Sequence, residues 1–231
     1  MTSSQSRRQP QGRQNVSTKQ ILLVVGAALV AAALLIVLNT SLFRTVGVGT
    51  LDFPTGVTED GHAYKGAPDA PLKLTLYSDY LCGHCADFAE ILEAISADYI
   101  KTGRLQVIFY NFAFLSPESV QSAMASLCAL DQSPAAHWRY HDLLYASRDG
   151  GMVAYSDSRL KAYAREIGLD VTKFNQCFES KAKAAQVQSD LEAGRARGVK
   201  GTPTWYLNDR LEVGAMSESD LRQLFDEMLK K

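Results

Sequence analysis

Two cysteines separated by two residues, Cys82 and Cys85, have the spacing in this 231-residue sequence that most directly indicates chemistry. They lie in the run Cys82-Gly83-His84-Cys85. Two sulfurs at this spacing are close enough to close a small disulfide ring, so the run predicts a dithiol that is reversibly oxidised. Half of a zinc site has the same spacing, and the pair alone does not separate the two interpretations.

The segments on either side of the pair place Cys82 at the start of a helix. Before it, Leu72–Ser78 is rich in apolar and β-branched residues and predicts a buried strand. The apolar side chains that recur at helical spacing after it are Phe88, Ile91, Leu92, Ile95 and Tyr99. This periodicity predicts one helix that ends near Gly103.

The start of a helix is a position that activates a thiol. Unpaired backbone N–H groups and the positive end of the helix dipole stabilise the thiolate there. We therefore predict that Cys82 is the nucleophile and that Cys85, one turn later, is the more sheltered resolving cysteine. A protonated His84 would add a positive charge beside Cys82. The alternative for His84 is a solvated turn residue, and we favour the catalytic role.

The rest of the chain predicts a second strand at Leu105–Tyr110 and then about eighty residues of helices. Serine-proline pairs at Ser116 and Ser133 are typical helix starts. A hairpin over 204–213 and a final helix after Ser217 complete the pattern. The order of elements predicts an α/β fold in which a βαβ half and a ββα half flank a helical insertion at about 116–197.

Four motifs in a fixed order give a resemblance to a known family. They are residues 66–85 with the cysteine pair, Tyr140–Leu144, Phe174–Cys177 and Gly198–Thr204. With them the chain resembles the DsbA-like thiol:disulfide oxidoreductases of the thioredoxin superfamily, over roughly residues 60–231. The resemblance implies a thioredoxin fold with a helical insertion, and no cofactor.

The resemblance also gives a role to the loop that contains Thr202 and Pro203. The matching proline of the family is cis and faces the active-site cysteines, whereas an ordinary strand-entry proline is the alternative. The Thr202 backbone would then be free to pair with an extended substrate peptide. The implied partners are folding secreted or membrane proteins, and a quinone-linked membrane protein that reoxidises the cysteine pair.

The other two cysteines, Cys128 and Cys177, lie on apolar helix faces. They could be buried free thiols, but a disulfide between two insertion helices is favoured in an oxidising compartment and resembles the second disulfide of some family members. A zinc site would need two closely spaced pairs. We predict a structural disulfide and no metal site. His137 and His141, four residues apart, lack a third ligand and are predicted to be packed.

One position departs from the family pattern. Many relatives carry a buried acidic residue six positions before the first cysteine, where it moves protons to and from the inner thiol. Here that position is Leu76. The nearest acid upstream is Asp79, and strand alternation does not establish that it reaches Cys85. Proton transfer through water is the interpretation that remains.

The N-terminal region predicts a membrane anchor. Ile21–Leu38 is a run of eighteen residues without a polar side chain, whose length as a helix nearly matches the hydrocarbon thickness of a bilayer. We predict a disordered tail at 1–19 and a transmembrane helix at 20–39. A cleaved signal peptide is the alternative, but Leu38–Phe43 offers no convincing cleavage site.

Charge predicts the orientation of this segment. The cations before it are Arg7, Arg8, Arg13 and Lys19. No acid appears before Asp52, so the N-terminus is predicted to be cytoplasmic and the catalytic domain extracytoplasmic. The net charge of −1 indicates no nucleic-acid partner. A glycine- and proline-rich linker at 40–68, with one peripheral strand near Val46–Phe53, precedes the domain at 69–231.

The sequence as a whole predicts a membrane-anchored thiol:disulfide oxidoreductase. It would donate a disulfide from Cys82 and Cys85 through a mixed disulfide at Cys82. A reductase or isomerase that uses the same pair in the opposite direction is the alternative. A non-redox binding module or chaperone would not need the intact cysteine pair with His84, and it is the less favoured class.

Overall fold

The computed structural model describes residues 51–230, which are built around one six-stranded sheet. Its strands are β1 Thr55–Val57, β2 Ala63–Lys65, β3 Leu72–Ser78, β4 Leu105–Asn111, β5 Thr204–Leu207 and β6 Arg210–Val213. The order across the sheet is β1-β2-β4-β3-β5-β6. Strands β3 and β4 are parallel, and the other neighbouring strands are antiparallel.

The helices divide into those that complete the sheet and those that form an insertion. They are α1 Gly83–Ala94, α2 Ser96–Tyr99, α3 Pro117–Leu130, α4 Pro134–Ala146, α5 Asp157–Glu166, α6 Val171–Glu179, α7 Ala184–Ala196 and α8 Glu218–Met228, with a 3₁₀ segment at Arg148–Tyr155. The βαβ half is β3-α1-β4, and the ββα half is β5-β6-α8. Helices α3 to α7 connect the two halves.

The central strand β3 positions the cysteine pair. Leu72, Leu74 and Leu76 on this strand are buried, because neighbouring strands and the helices cover it. The chain leaves the sheet after Ser78 and enters α1 at Gly83. The start of α1 therefore lies at the carboxyl end of the central strand, a position where open α/β sheets commonly bind their ligands.

Local capping explains why the insertion helices begin where the sequence predicted. The Ser116 hydroxyl accepts a hydrogen bond from the Ser119 N–H, and the Ser133 hydroxyl accepts one from the Ala136 N–H. A proline follows each capping serine at the first helical position, where its missing N–H removes no helical hydrogen bond.

The structure differs from the sequence predictions about the elements in two places. The helix expected to run to near Gly103 is interrupted at Ile95, and a separate short helix, α2, follows. Ile95 and Ile100 are both fully buried. Five residues apart, they would lie about 140° apart around one continuous helix, so the interruption allows both side chains to face the core.

The second difference concerns the segment predicted as a linker with a strand near Val46–Phe53. In its described part, residues 51–53 are not a strand, and β1 and β2 form a hairpin in which β2 pairs with β4. Strands of three residues are too short to produce a readable alternation. The predicted tail, the anchor at 20–39 and residues 40–50 lie outside the described residues. Within residues 51–230, no helix has the length and apolar character needed to cross a bilayer.

Candidate active site

The two cysteines of the pair have different environments. Cys82 is the N-cap of α1 and is half-buried, whereas Cys85, in the first turn of α1, is only 2% exposed. Both are thiols in this structure. The Cys82 thiol donates a hydrogen bond to the Thr202 carbonyl, with 3.3 Å between sulfur and oxygen. An attacking sulfur can therefore reach Cys82 from solvent, and Cys85 is sheltered behind it.

The surroundings of Cys82 favour its thiolate. A hydrogen bond from the Cys85 thiol is the largest influence, and it lowers the pKa of Cys82. Burial opposes this effect, while the Thr202 side chain and the backbone N–H groups of Cys85 and His84 reinforce it. The result is a Cys82 pKa of about 6, so most of this sulfur is ionised at pH 7.

The surroundings of Cys85 have the opposite effect. Burial is the largest influence and raises the pKa of the Cys85 thiol, and its hydrogen bond to the Cys82 sulfur raises the pKa further. Hydrogen bonds from the Asp79 backbone and the side chains of Ser78 and Thr202 lower it in part. Cys85 therefore keeps its proton and donates it toward Cys82, and the two sulfurs act as one unit.

The loop at Thr202 and Pro203 faces the pair, as the sequence predicted. The Thr202–Pro203 peptide bond is cis. The Thr202 side chain is a hydrogen-bond partner of both active-site sulfurs. The carbonyl of Thr202, expected to be free for a substrate backbone, is occupied by the Cys82 thiol while that sulfur is protonated. It becomes available when Cys82 is a thiolate, which has no proton to donate.

The catalytic role of His84 stays a prediction. The His84 side chain is 82% exposed, and its Nδ1 atom lies 3.8 Å from the Asp87 carboxylate. The group that His84 directs at Cys82 is its backbone N–H. Asp87 is also bound by Arg148, whose guanidinium donates to the Asp87 carboxylate at 2.6 Å and to the Gly83 carbonyl at 3.3 Å. Arg148 thereby ties the 3₁₀ segment to the start of α1.

Asp79 is a structural carboxylate beside the pair. It is 1% exposed, and its Oδ1 accepts from the Leu81 N–H while its Oδ2 accepts from the N–H groups of Phe114 and Leu115. Three backbone donors compensate the charge that burial would otherwise make costly. The carboxylate therefore holds the loop after β4 against the turn that precedes Cys82. Leu76, six positions before Cys82, is buried.

A cleft of about 330 Å³ opens beside Cys82. Leu81, Cys82, Met152 and Tyr155 contribute to its walls. Met152 belongs to the 3₁₀ segment and is largely exposed. The cleft is mainly apolar, and it is the space through which a polypeptide would approach the half-buried sulfur.

The other candidate residues are located away from this chemistry. Cys128 and Cys177 form a disulfide that joins α3 to α6 across a sequence separation of 49. A crosslink over a loop of this size contributes about 3–4 kcal/mol on the chain-entropy model. His137 and His141 are buried among aromatic rings. Within the described residues, no cluster of His, Cys, Asp and Glu side chains is arranged to hold a metal.

The sequence prediction missed three residues that the fold brings to the site. Ser78 influences the pKa of Cys85, Tyr145 is hydrogen-bonded to Ser78, and Arg148 donates to the Gly83 carbonyl at the start of α1. Ser78 was assigned only as a strand residue, and Tyr145 only as part of a helix. No local motif marks them, because their partners are 61 to 67 positions away in the chain.

The arrangement defines a class of protein. The cysteine pair lies at the start of the helix that follows the central strand, and the cis-proline loop faces it. Together with the helical insertion, these features define a DsbA-like oxidoreductase of the thioredoxin superfamily. The family model described as thioredoxin matches residues 58–227. The chain belongs to this thioredoxin family.

Curated relatives and solved structures agree with this class. The chain is 25% identical over 182 residues to disulfide bond formation protein D of Bacillus subtilis. The aligned region covers 74% of this chain and 78% of that protein. Among solved structures, the thiol-disulfide exchange protein α-DsbA2 from Wolbachia pipientis is 26% identical, with a TM-score of 0.63 over 71% of this chain and 86% of the other. These findings confirm the predicted thioredoxin fold with a helical insertion.

A third relative is of another kind. Over 166 residues the chain is 26% identical to the Na(+)/H(+) antiporter NhaA 3 of Salinispora tropica. The match covers 72% of this chain but only 24% of the antiporter. The chain thus spans about a quarter of that protein.

Proposed function

We propose that the protein donates a disulfide from Cys82 and Cys85 to extracytoplasmic proteins as they fold. The observation that carries the proposal is the asymmetry of the pair: an accessible Cys82 with a lowered pKa lies beside a buried Cys85 with a raised pKa. A site that stabilises the reduced Cys82 thiolate makes the corresponding disulfide a stronger oxidant, because reduction is then favoured.

The reaction follows from the different exposure of the two sulfurs. A substrate thiolate attacks Cys82, which is the sulfur open to the cleft, and Cys85 leaves. A mixed disulfide between the substrate and Cys82 results. A second substrate thiolate then attacks the substrate sulfur, and the products are an oxidised substrate and the reduced cysteine pair.

The direction of the reaction is the finer part of the proposal. The names of the relatives support disulfide donation, since several are called disulfide bond formation proteins. A reductase or isomerase would use the same pair in reverse, and the lowered pKa of Cys82, which stabilises the reduced pair, argues against it. We propose that a quinone-linked membrane protein reoxidises the pair.

Location belongs to the same proposal. We propose that residues 20–39 anchor the chain in the cell membrane, with the N-terminus in the cytoplasm and the cysteine pair outside it. The apolar run Ile21–Leu38 and the cations that precede it support this topology. An extracytoplasmic, oxidising location is also consistent with a disulfide at Cys128 and Cys177.

The decisive measurement is the equilibrium reduction potential of the Cys82–Cys85 pair in the full-length protein. We expect a value between about −180 and −120 mV, the range from protein disulfide isomerase to DsbA. A value near −270 mV, that of thioredoxin, would contradict disulfide donation and favour the reductase. As a matched control, Cys85→Ser should accumulate a mixed disulfide when it is incubated with a disulfide-bonded peptide, because the Cys82 thiolate attacks the peptide disulfide and a peptide thiolate leaves; Cys82→Ser should not.

A further inference from the structure

Cleavage of the Cys82–Cys85 disulfide leaves a negative charge on a buried sulfur. Cys85 is 2% exposed, and burial alone makes its thiolate costly. A leaving sulfur in this environment needs hydrogen-bond donors close to it. Leu76, on the central strand, is apolar and supplies none.

The donors near Cys85 include a pair of buried hydroxyl groups. The Ser78 hydroxyl is among the groups that act against burial and lower the pKa of Cys85. The Ser78 Oγ atom lies 2.7 Å from the Tyr145 hydroxyl, and both side chains are buried. The Tyr145 ring is held by edge contacts with His141 and a tilted contact with Tyr80, at centroid distances of 4.9 and 5.1 Å. The hydroxyl groups of β3 and α4 thus form a buried pair, and one of them, Ser78, influences Cys85 of α1.

We propose that the Ser78–Tyr145 hydroxyl pair receives the Cys85 sulfur when it leaves the disulfide. The Tyr145 hydroxyl donates to Ser78 Oγ, which directs the Ser78 proton toward Cys85. In this role Ser78 meets the leaving sulfur directly, and Tyr145 is a positioning residue that acts through Ser78. This role rests on the proposed disulfide chemistry of Cys82 and Cys85, but not on its direction.

The step balances without a further reactant. The incoming thiolate forms a bond with Cys82 Sγ, the bond between the two active-site sulfurs breaks, and its electron pair stays on Cys85 Sγ. The incoming sulfur is oxidised, and Cys85 is reduced. The Ser78 hydroxyl stabilises the new charge with a charge-assisted hydrogen bond, which is stronger than a neutral one. The same bond stabilises the Cys85 thiolate when it attacks in the reverse reaction.

The test uses the full-length, oxidised protein and 2-mercaptoethanol as the attacking thiol. The rate of formation of the mixed disulfide at Cys82 is followed by acid quench and mass spectrometry. We expect Ser78→Ala and Tyr145→Phe each to slow this step roughly tenfold, since a hydrogen bond to a charged group is lost. The thiolate titration of Cys82 in the same variants should stay near that of the wild type, because the effect lies at Cys85.

Tyr140→Phe is the matched control. Tyr140 is another buried tyrosine of α4, and its hydroxyl donates to the Leu160 carbonyl rather than toward the cysteines. The rate of mixed-disulfide formation in Tyr140→Phe should equal that of the wild type. Wild-type rates in both Ser78→Ala and Tyr145→Phe, or equal slowing in Tyr140→Phe, would overturn the role of the hydroxyl pair. The proposed function of the cysteine pair would not be affected by either result. Absence of a Cys82–Cys85 disulfide from the oxidised wild type would overturn the proposed function as well.

Discussion

A cysteine thiol reacts according to how much of it is ionised, and at Cys82 several short contacts determine that fraction. The neighbouring Cys85 thiol is the largest of them, so the lowered pKa of Cys82 belongs to the pair and not to the helix terminus alone. The exposed His84 ring, to which the sequence assigned a charge effect, is directed at Asp87 instead. The Cys85 thiol is therefore a cause of the reactivity of Cys82 that the sequence did not indicate.

The first prediction concerns the titration of Cys82. In the reduced protein, the rate of alkylation by iodoacetamide should reach half its maximum near pH 6, because the pKa of Cys82 is about 6. Thiolate absorbance at 240 nm measures the same transition. In Cys82→Ser the remaining Cys85 should stay almost unreactive over this range. A midpoint near pH 8.5, that of an ordinary cysteine, would contradict the contacts described here.

The sign of the linked stability change follows from the same shift. The pKa of Cys82 is lower in the folded state than in the unfolded state, so ionisation of Cys82 stabilises the folded protein. This contribution to the free energy of unfolding is fully present above about pH 8.5 and is lost as the pH falls through about 6. The oxidised protein has no such titration at this pair. The stability of the reduced form relative to the oxidised form should therefore increase between pH 6 and pH 8.5.

At the scale of elements, the sequence predicted the helices and strands that have a strong local sequence pattern, and it missed those that have none. Strand β3 was predicted with its observed bounds, and the serine-proline pairs marked the starts of α3 and α4 correctly. The hairpin of β1 and β2 was missed, because what holds it in place is distant. His62, next to the turn of this hairpin, lies 3.0 Å from the Asp190 carboxylate of α7 and is stacked on Tyr110 of β4. No local pattern in the sequence indicates these contacts.

The second prediction concerns this attachment. Burial opposes protonation of His62, but the hydrogen bonds and charges of Asp190 and Asp60 raise its pKa above 6.5. The folded state thus favours the charged imidazole. Its contribution to stability is fully present below about pH 6.5 and is lost as the pH rises through the raised pKa. His62→Gln should lower the unfolding free energy by about 1–2 kcal/mol at pH 5.5, and by less at pH 9.

The measurement is chemical denaturation of the oxidised protein across this range, so that Cys82 does not titrate. His84→Gln is the control, since it replaces an exposed histidine by the same residue. It should change the unfolding free energy by less than about 0.5 kcal/mol. A deficit of His62→Gln that grows as the pH rises would contradict the proposed attachment.

At the scale of the molecule, the fold was predictable because its order of motifs is unusual and its elements are locally encoded. The cysteine pair, the cis-proline loop and the second disulfide were each named from the sequence, and all three occur in the structure. The second layer around Cys85 was not predictable. Ser78 and Tyr145 are separated by 67 positions, and only the packing of α4 on the sheet brings their hydroxyl groups together.

The third prediction tests the proposed topology with the reactive sulfur itself. Cys82 is the accessible thiol of the described part of the chain, because Cys85 is buried and Cys128 is bonded to Cys177. After mild reduction, a membrane-impermeant maleimide should label the full-length protein once in intact cells. The positive-inside rule predicts this outcome, since the basic residues before Ile21–Leu38 keep the N-terminus in the cytoplasm.

The control for this labelling is Cys82→Ser, which should remove the signal while leaving the protein in the membrane fraction. Deletion of residues 1–39 separates the anchor from the site. The shortened chain should leave the membrane fraction, because the apolar run that supplies the membrane affinity is lost. Labelling of the wild type only after lysis would place Cys82 in the cytoplasm. There a reducing environment would favour the reductase over the disulfide donor.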